Sequence, residues 1–383
     1  MKTWRYLYAG TLALALTIGA GLWNPLPQTD AQTGARVPRF VVDLSWPRPL
    51  PNRWVTGEVA GTCIDSKDHI FTVNRRNLLD LQKTLGLTPA PPVIEFDGEG
   101  NVVNAWGDPA IMPNGVHGCF VDHEDNVWIA GNGDGIVQKY SHDGKTLLLQ
   151  IGTRGACDSP TGACGVPSSN SSRDRLNQPA DVAVDPASGD IYIADGYGNH
   201  RVVVFDRTGQ YLRQWGSPGT DPGQFAPGGG GHPHCVVLAR DGLLYVCDRA
   251  NDRIQVFDKM GKVQGLIAVK PGTGTPGRGA VGSANDLDFS IYQKIMYVND
   301  VGNTTLWIFD RAAGNKIIGG FGRPGHMAGE FTLFHSVARD SRGNLYTGET
   351  VGGRRAQKFI SRGTVPDDKL EVFLGSPHYV PLP

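Results

Sequence analysis

Residues 178–216 read QPADVAVDPASGDIYIADGYGNHRVVVFDRTGQYLRQWG, and this stretch decides the fold. Four runs rich in β-branched and aromatic residues, DVAVD, IYIAD, RVVVFD and YLRQWG, are separated by PASG, GYGN and RTG. The runs suit pleated, half-buried strands and the separators suit tight turns, so a four-stranded antiparallel sheet is predicted. One such sheet cannot bury both of its faces, and stacking against copies of itself is the way to do so. Copies are present. Similar strings begin at Gly61, Gly118, His234, Asp286 and His335, giving six units at a spacing of roughly 50 to 60 residues. The prediction is an all-β, six-bladed β-propeller of four-stranded blades.

Residues 1–31 stand apart from this domain, which is assigned 32–383. Lys2 and Arg5 precede an uncharged run over 6–28, rich in Leu and Ala, the pattern of a signal peptide cleaved near Ala20 or Ala31. The same run is long enough to serve as an uncleaved membrane anchor. Either way the propeller is expected outside the cytoplasm, secreted or periplasmic, with membrane contact only where the leader is kept. A formal net charge of −1 gives no basic excess, so nucleic acid is not an expected partner. The 52 Gly and 26 Pro punctuate apolar runs at regular intervals, which is turn chemistry rather than disorder. A closed ring of blades uses nearly all of the chain, and a monomer is expected.

The six cysteines suit disulfides in an oxidising compartment. Cys157 and Cys164 close the short loop CDSPTGAC, and Cys235 and Cys247 lie symmetrically about Asp241 in one hairpin. Cys63 and Cys119 are left, either as a third pair or as free buried thiols. Residues 35–52 are expected to add an outer strand to a blade or to the ring closure, and 78–92 to hold a short helix. The long loop 153–179 reads as a cover or a mobile segment. The run APGGGGHPH lacks the following helix and GK[ST] of a phosphate loop, and is expected as a flexible approach to the channel. Residues 370–381 are expected to return to the last sheet.

Counting back from the aromatic residue of each second strand puts His117 eleven residues before Trp128, His234 eleven before Tyr245 and His335 eleven before Tyr346. The same position, with the longer hairpins of units three and five allowed for, holds Ala60, Ala180 and Asn285. Histidine thus starts the innermost strand of units two, four and six, a threefold pattern in a ring of six. One such histidine is explained by backbone capping. Three in register point inward together and predict a metal centre with an open fourth position, where the ion polarises an oxygen or acidifies a bound hydroxyl. His232 is out of register and is expected beside the centre or in solvent. Second strands end on the face where first strands begin, so Arg75 after the second strand of unit one and Tyr197 after that of unit three are further candidates. A guanidinium grips a carboxylate through two hydrogen bonds, and a phenol beside a divalent cation serves as general base. Arg201 and Arg253, beside Asp195 and Asp248, read as structural pairs between loops of adjacent blades.

The units at 180–206 and 238–258 resemble NHL repeats, and the resemblance runs over the chain beyond its leader. A closer resemblance is to the peptidyl-α-hydroxyglycine α-amidating lyases, carried by QPADVAVDPASGDIYIADGYGNHRVVVF, HPHCVVL with CDRANDRIQVF, FTVNRR and TLFHSVARD. It implies zinc on His117, His234 and His335, with Tyr197 and Arg75 as catalytic residues. The implied reaction cleaves a carbinolamide, N–CH(OH)–COO⁻, into an amide and glyoxylate. In that scheme zinc holds the hydroxyl, Tyr197 takes its proton and Arg75 anchors the carboxylate of a small-molecule or peptide-end substrate. The family also holds a structural calcium, helped by an Asp directly after the last histidine. Ser336 stands there instead, Leu333 stands near a family Met, and Arg76 replaces a family Gly. Two other readings share these residues: a non-catalytic NHL propeller binding a protein or glycan, and a metal-dependent hydrolase such as a lactonase.

Overall fold

Each repeat folds as one antiparallel sheet of four strands. In the computed structural model, which describes residues 36–166, 168–227, 230–271 and 281–366, the repeat at 178–216 forms Asp181–Val184, Ile191–Asp195, Arg201–Phe205 and Tyr211–Trp215, hydrogen-bonded in chain order. Six such sheets make the predicted six-bladed β-propeller. The inner strands of blades 1 to 6 are Val59–Ile64, Val116–Val121, Asp181–Val184, Val236–Leu238, Asp286–Phe289 and Phe334–Arg339. The outermost strand of blade 6 is Arg36–Val42, paired antiparallel to Ala356–Pro366 with Val42 opposite Phe359. The segment expected to close the ring does so, joining parts of the chain more than three hundred residues apart.

The core lies between blades rather than within one. Second strands such as Ile191–Asp195 and Leu244–Asp248 are buried at consecutive positions, so a sheet buries both of its faces, and six clusters fill the spaces between neighbours. Blades 2 and 3, for example, meet through Trp128, Val137, Val182, Ile193 and Phe205. Phe309, fully buried between blades 4 and 5, stands for many: truncation to Ala is worth roughly 3–5 kcal/mol. Near the axis the inner strands come too close for side chains. A Cβ on Gly118 would lie 2.5 Å from the Ala180 carbonyl oxygen, and one on Gly61 2.5 Å from that of His117.

The three disulfides are Cys157–Cys164, Cys235–Cys247 and Cys63–Cys119. The last joins the inner strands of blades 1 and 2, so these two cysteines are not free thiols. The helix expected in 78–92 is Asp80–Thr84. The described residues of the loop 153–179 are anchored by hydrogen bonds. Asp158 Oδ2 accepts from the Ser171 and Ser172 amides, and Arg201 donates to the carbonyls of Ser172 and Arg175. The leader 1–31 and the segment 370–381 lie outside the described residues. Among the described residues no helix is long and apolar enough to cross a membrane.

Candidate metal centre at the channel mouth

His117, His234 and His335 are buried at the starts of the inner strands of blades 2, 4 and 6. Each uses its Nδ1 in the same way. His117 Nδ1 is 2.7 Å from the Ala180 carbonyl oxygen, His234 Nδ1 2.7 Å from that of Asn285, and His335 Nδ1 2.6 Å from that of Ala60. Those acceptors are the register-equivalent residues of the following blades, so the odd blades orient what the even blades supply. A carbonyl only accepts; Nδ1 therefore carries the proton and Nε2 keeps its lone pair. The ring centroids are 4.8, 4.5 and 5.1 Å apart, and the three ligand nitrogens lie within 4.8 Å of one another. Nitrogens around a tetrahedral zinc ion at its usual bond length are about 3.3 Å apart, which modest ring movement reaches.

The proton state suits a ligand. Burial holds His117 well below the ordinary imidazole value, and its neighbours His335 and Arg75 lower it further. Burial, then Arg249, does the same to His234. His335 is pushed down to about 3 by burial and then by Arg75. All three are neutral at physiological pH.

Tyr197 joins them directly, its Oη 3.0 Å from His117 Nε2 and 3.2 Å from His234 Nε2. The turn that carries it is fixed from two sides. Tyr197 N donates to the Gln178 carbonyl and Gly198 N to that of Asn177, so the end of the long loop supports the phenol. Gly196, just before it, faces the Pro233 backbone so closely that any Cβ would collide. Gly231, near the end of the APGGGGHPH run expected as an approach to the channel, packs against the site, since a Cβ there would lie 2.7 Å from the His234 ring and 3.0 Å from that of Tyr197.

Arg75 donates from Nε to the Val116 carbonyl at 3.3 Å, from NH1 to Glu58 Oε2 at 2.7 Å, and from NH2 to Asn132 Oδ1 at 3.3 Å. The guanidinium is thus aimed by three bonds, and two of its five N–H groups are left for a ligand. A second cation was missed from the sequence. Arg249 is buried, donates to Asn285 Oδ1 at 2.9 Å, has no partner at Nε, and lies 5.8 Å from the centroid of the Tyr197 ring. Its register was the available clue: Arg249 follows Tyr245 by four residues, as Arg75 follows Phe71. These positions belong to blades 1 and 4, opposite each other in the ring.

Other expectations need correction. His232 is buried, not in solvent; its Nδ1 accepts from the Ala250 amide at 3.3 Å, and burial together with Arg249 pushes it down to about 3. Arg201 and Arg253 pair within their own blades, with Asp195 at 3.0 Å and Asp248 at 2.7 Å, because each Arg sits across from its Asp on neighbouring strands. Their remaining donors tie down the preceding loops. Ser336 places a hydroxyl, 3.2 Å from Thr62 Oγ1, where a calcium ligand was sought, so this position supplies no carboxylate. Behind the imidazoles a cavity of about 380 Å³ follows the channel past Asp181, Asp286 and Asp288. Burial raises Asp181 to about 7 and Asp288 to about 6, and Asp286 well above the carboxylate range. Arg75, Tyr197 and Arg249 are not in its lining.

Fold and site together define a β-propeller with three inward imidazoles and an adjoining phenol at one mouth of its channel. Comparison with known proteins narrows this. The NHL repeat family matches residues 176–205 and 231–257, the first three strands of blades 3 and 4 with their approaches. Over 219 residues the chain is 31% identical to peptidyl-glycine alpha-amidating monooxygenase B of Xenopus laevis, covering 52% of this chain and 23% of that protein. It is 31% identical over 185 residues to peptidyl-alpha-hydroxyglycine alpha-amidating lyase 1 of Drosophila melanogaster (45% and 29%) and 31% over 228 to NHL repeat-containing protein 3 of Mus musculus (58% and 57%). The chain thus spans less than two thirds of these relatives. A streptogramin B lyase structure superposes with a TM-score of 0.51 at 12% identity, over 85% of this chain and 98% of that one, a likeness of fold. The chain is a β-propeller with two segments that match the NHL repeat family, and over part of its length it is similar to the amidating lyases.

Proposed function

We propose that the chain is a divalent-metal-dependent lyase of amidating-lyase type, cleaving a carbinolamide, N–CH(OH)–COO⁻, into an amide and glyoxylate. One observation carries the reading: three neutral imidazoles converge, and the Tyr197 hydroxyl stands within hydrogen-bond distance of two of them. His117, His234 and His335 would hold the ion, and an all-imidazole set suits zinc. Bound there, zinc supplies a Lewis acid that polarises a substrate oxygen.

The residues of the chain account for the rest. Tyr197 Oη is placed to take the proton of the carbinol hydroxyl and to return it to the departing nitrogen. The O–H and C–N bonds break while the C=O and N–H bonds form, so the balance closes without water. Arg75, held by Glu58, Asn132 and the Val116 carbonyl, presents its remaining donors to the substrate carboxylate. Arg249 adds positive charge beside Tyr197. The substrate class, a small molecule or peptide end, follows from the similarity to the amidating lyases, and the three disulfides with the leader pattern favour a secreted or periplasmic protein.

Metal analysis of the purified chain, followed by a glyoxylate assay with α-hydroxyhippurate, tests this reading. Bound metal and glyoxylate release are expected. Metal without glyoxylate would favour a hydrolase in which the ion activates water. Absence of metal at the histidines would leave a non-catalytic NHL propeller.

A further inference from the structure

The turns at the other end of the first hairpins hold a second set of metal-ligating side chains. Asp65 follows the inner strand of blade 1, Glu95 lies on its third strand, and His142 reaches across from a turn of blade 2. One ligand atom from each lies within 4.8 Å of the others. His142 Nε2 is 2.8 Å from Asp65 Oδ2, and His69 Nδ1 is 2.6 Å from Glu95 Oε1 and 3.9 Å from Asp65 Oδ2. Both carboxylates are buried, while the side chains of His69 and His142 are 30% and 32% exposed, which leaves an ion a way in.

The other blades show what is unusual here. In blade 2 the residues equivalent to Asp65 and Glu95 are Asp122 and Lys139, an ordinary ion pair at 3.0 Å. Blade 1 puts Glu where blade 2 has Lys, so two carboxylates are buried together, which is unfavourable without a cation between them. The turn position of His142, two residues after the aromatic residue of a third strand, holds Lys259 in blade 4 and Arg311 in blade 5. Each of those locks onto a carboxylate of the preceding blade, Asp185 and Asp241, at 2.5 Å. Blade 2 replaces that fixed cation with an imidazole, which can ligate a metal. Asp65 is also held ready: its Oδ1 accepts from the Lys67 and His69 amides at 2.9 and 2.7 Å, which directs Oδ2 at the cluster.

We propose that Asp65, Glu95 and His142 form a second site, between blades 1 and 2, for a divalent first-row transition metal such as zinc, with His69 positioning Glu95 from outside. The donor set of one imidazole and two carboxylates is one that zinc accepts, with a further position open to water. The short contacts are hydrogen bonds; an ion would replace them and open each ligand pair to about 3.3 Å. Two carboxylates balance the charge of a divalent ion, which makes this a cross-link between blades rather than a Lewis acid. The site is independent of the chemistry proposed for the channel mouth.

The test is the zinc content of the full chain after chelation, reloading and dialysis. Glu95→Gln and His142→Ala should each lower it by one ion per chain, whatever the channel binds, and His69→Ala should weaken that ion roughly 10- to 100-fold. His142→Lys guards against misfolding, because it rebuilds the lock made by Lys259: a folded His142→Lys chain should also lack one zinc. Histidine nitrogen NMR of the unmutated chain gives a second reading, with a zinc-dependent shift expected at His142 Nε2. An unchanged zinc content in Glu95→Gln and His142→Lys, or no response of His142 to zinc, overturns the proposal.

Discussion

The histidines at the two ends of the ring are set in opposite electrostatic surroundings. His117, His234 and His335 are buried, spend Nδ1 on backbone carbonyls and have Arg75 and Arg249 as charged neighbours. His69 and His142 are part-exposed and face Glu95 and Asp65. An ion among three neutral imidazoles keeps its full charge and acts on an anionic or polarisable ligand, whereas one between two carboxylates is neutralised where it sits. Under the two proposals, position in the fold would give the same side chain a chemical role at one end and a cross-linking role at the other.

His234→Ala tests the first half of that contrast and should have the largest effect, loss of the channel ion and of glyoxylate release down to background. Tyr197→Phe keeps the three imidazoles and should retain that ion while kcat falls roughly 10²- to 10⁴-fold, the range of a lost general base. Metal content and turnover, measured on one preparation, separate the two variants. Arg75→Ala removes a charged hydrogen-bonding group worth roughly 1.5–3 kcal/mol, so kcat/KM for an α-hydroxyglycine substrate should drop about 10- to 100-fold, and less for an analogue without the carboxylate. At the other end, His142→Ala leaves the buried Asp65 Oδ2 without its donor and should cost about 1–3 kcal/mol in denaturant unfolding.

Stability of the metal-stripped chain against pH sharpens the comparison most gently. Unfolded imidazoles take up protons as pH falls through about 6.5, whereas the three channel histidines, their values lowered by burial, resist protonation in the folded state until far lower pH. At these three sites the unfolded chain then binds more protons, so their share of the stability should fall below pH 6.5 by roughly 1.4 kcal/mol per pH unit each and hold above it, whereas Asp181, Asp286 and Asp288, raised by burial, contribute the opposite slope; the difference between the stripped chain and its His335→Ala variant isolates one histidine.

Much of this was legible in the sequence because repetition makes register visible. Strands of one repeat located those of the others, and counting from Trp128, Tyr245 and Tyr346 put three histidines on alternate blades. The same counting, applied after Tyr245, would have found Arg249. What repetition could not supply is contact between blades at turns. His142 is a polar turn residue until Asp65 is placed beside it, and Glu95 is one charge in a strand until its neighbour proves to be another carboxylate. Nor could length show how the loop 153–179 is held: Asp158 gathers amides from within the loop, and Arg201, on the third strand of blade 3, binds its carbonyls.

The most direct measurement is glyoxylate release from α-hydroxyhippurate by the chelator-stripped chain, before and after zinc is added back, beside His234→Ala treated identically. Release should vanish on stripping, return with zinc in the unmutated chain and stay absent in the variant. Release that persists without metal, or that zinc restores equally in His234→Ala, would contradict a lyase centre built on the three imidazoles.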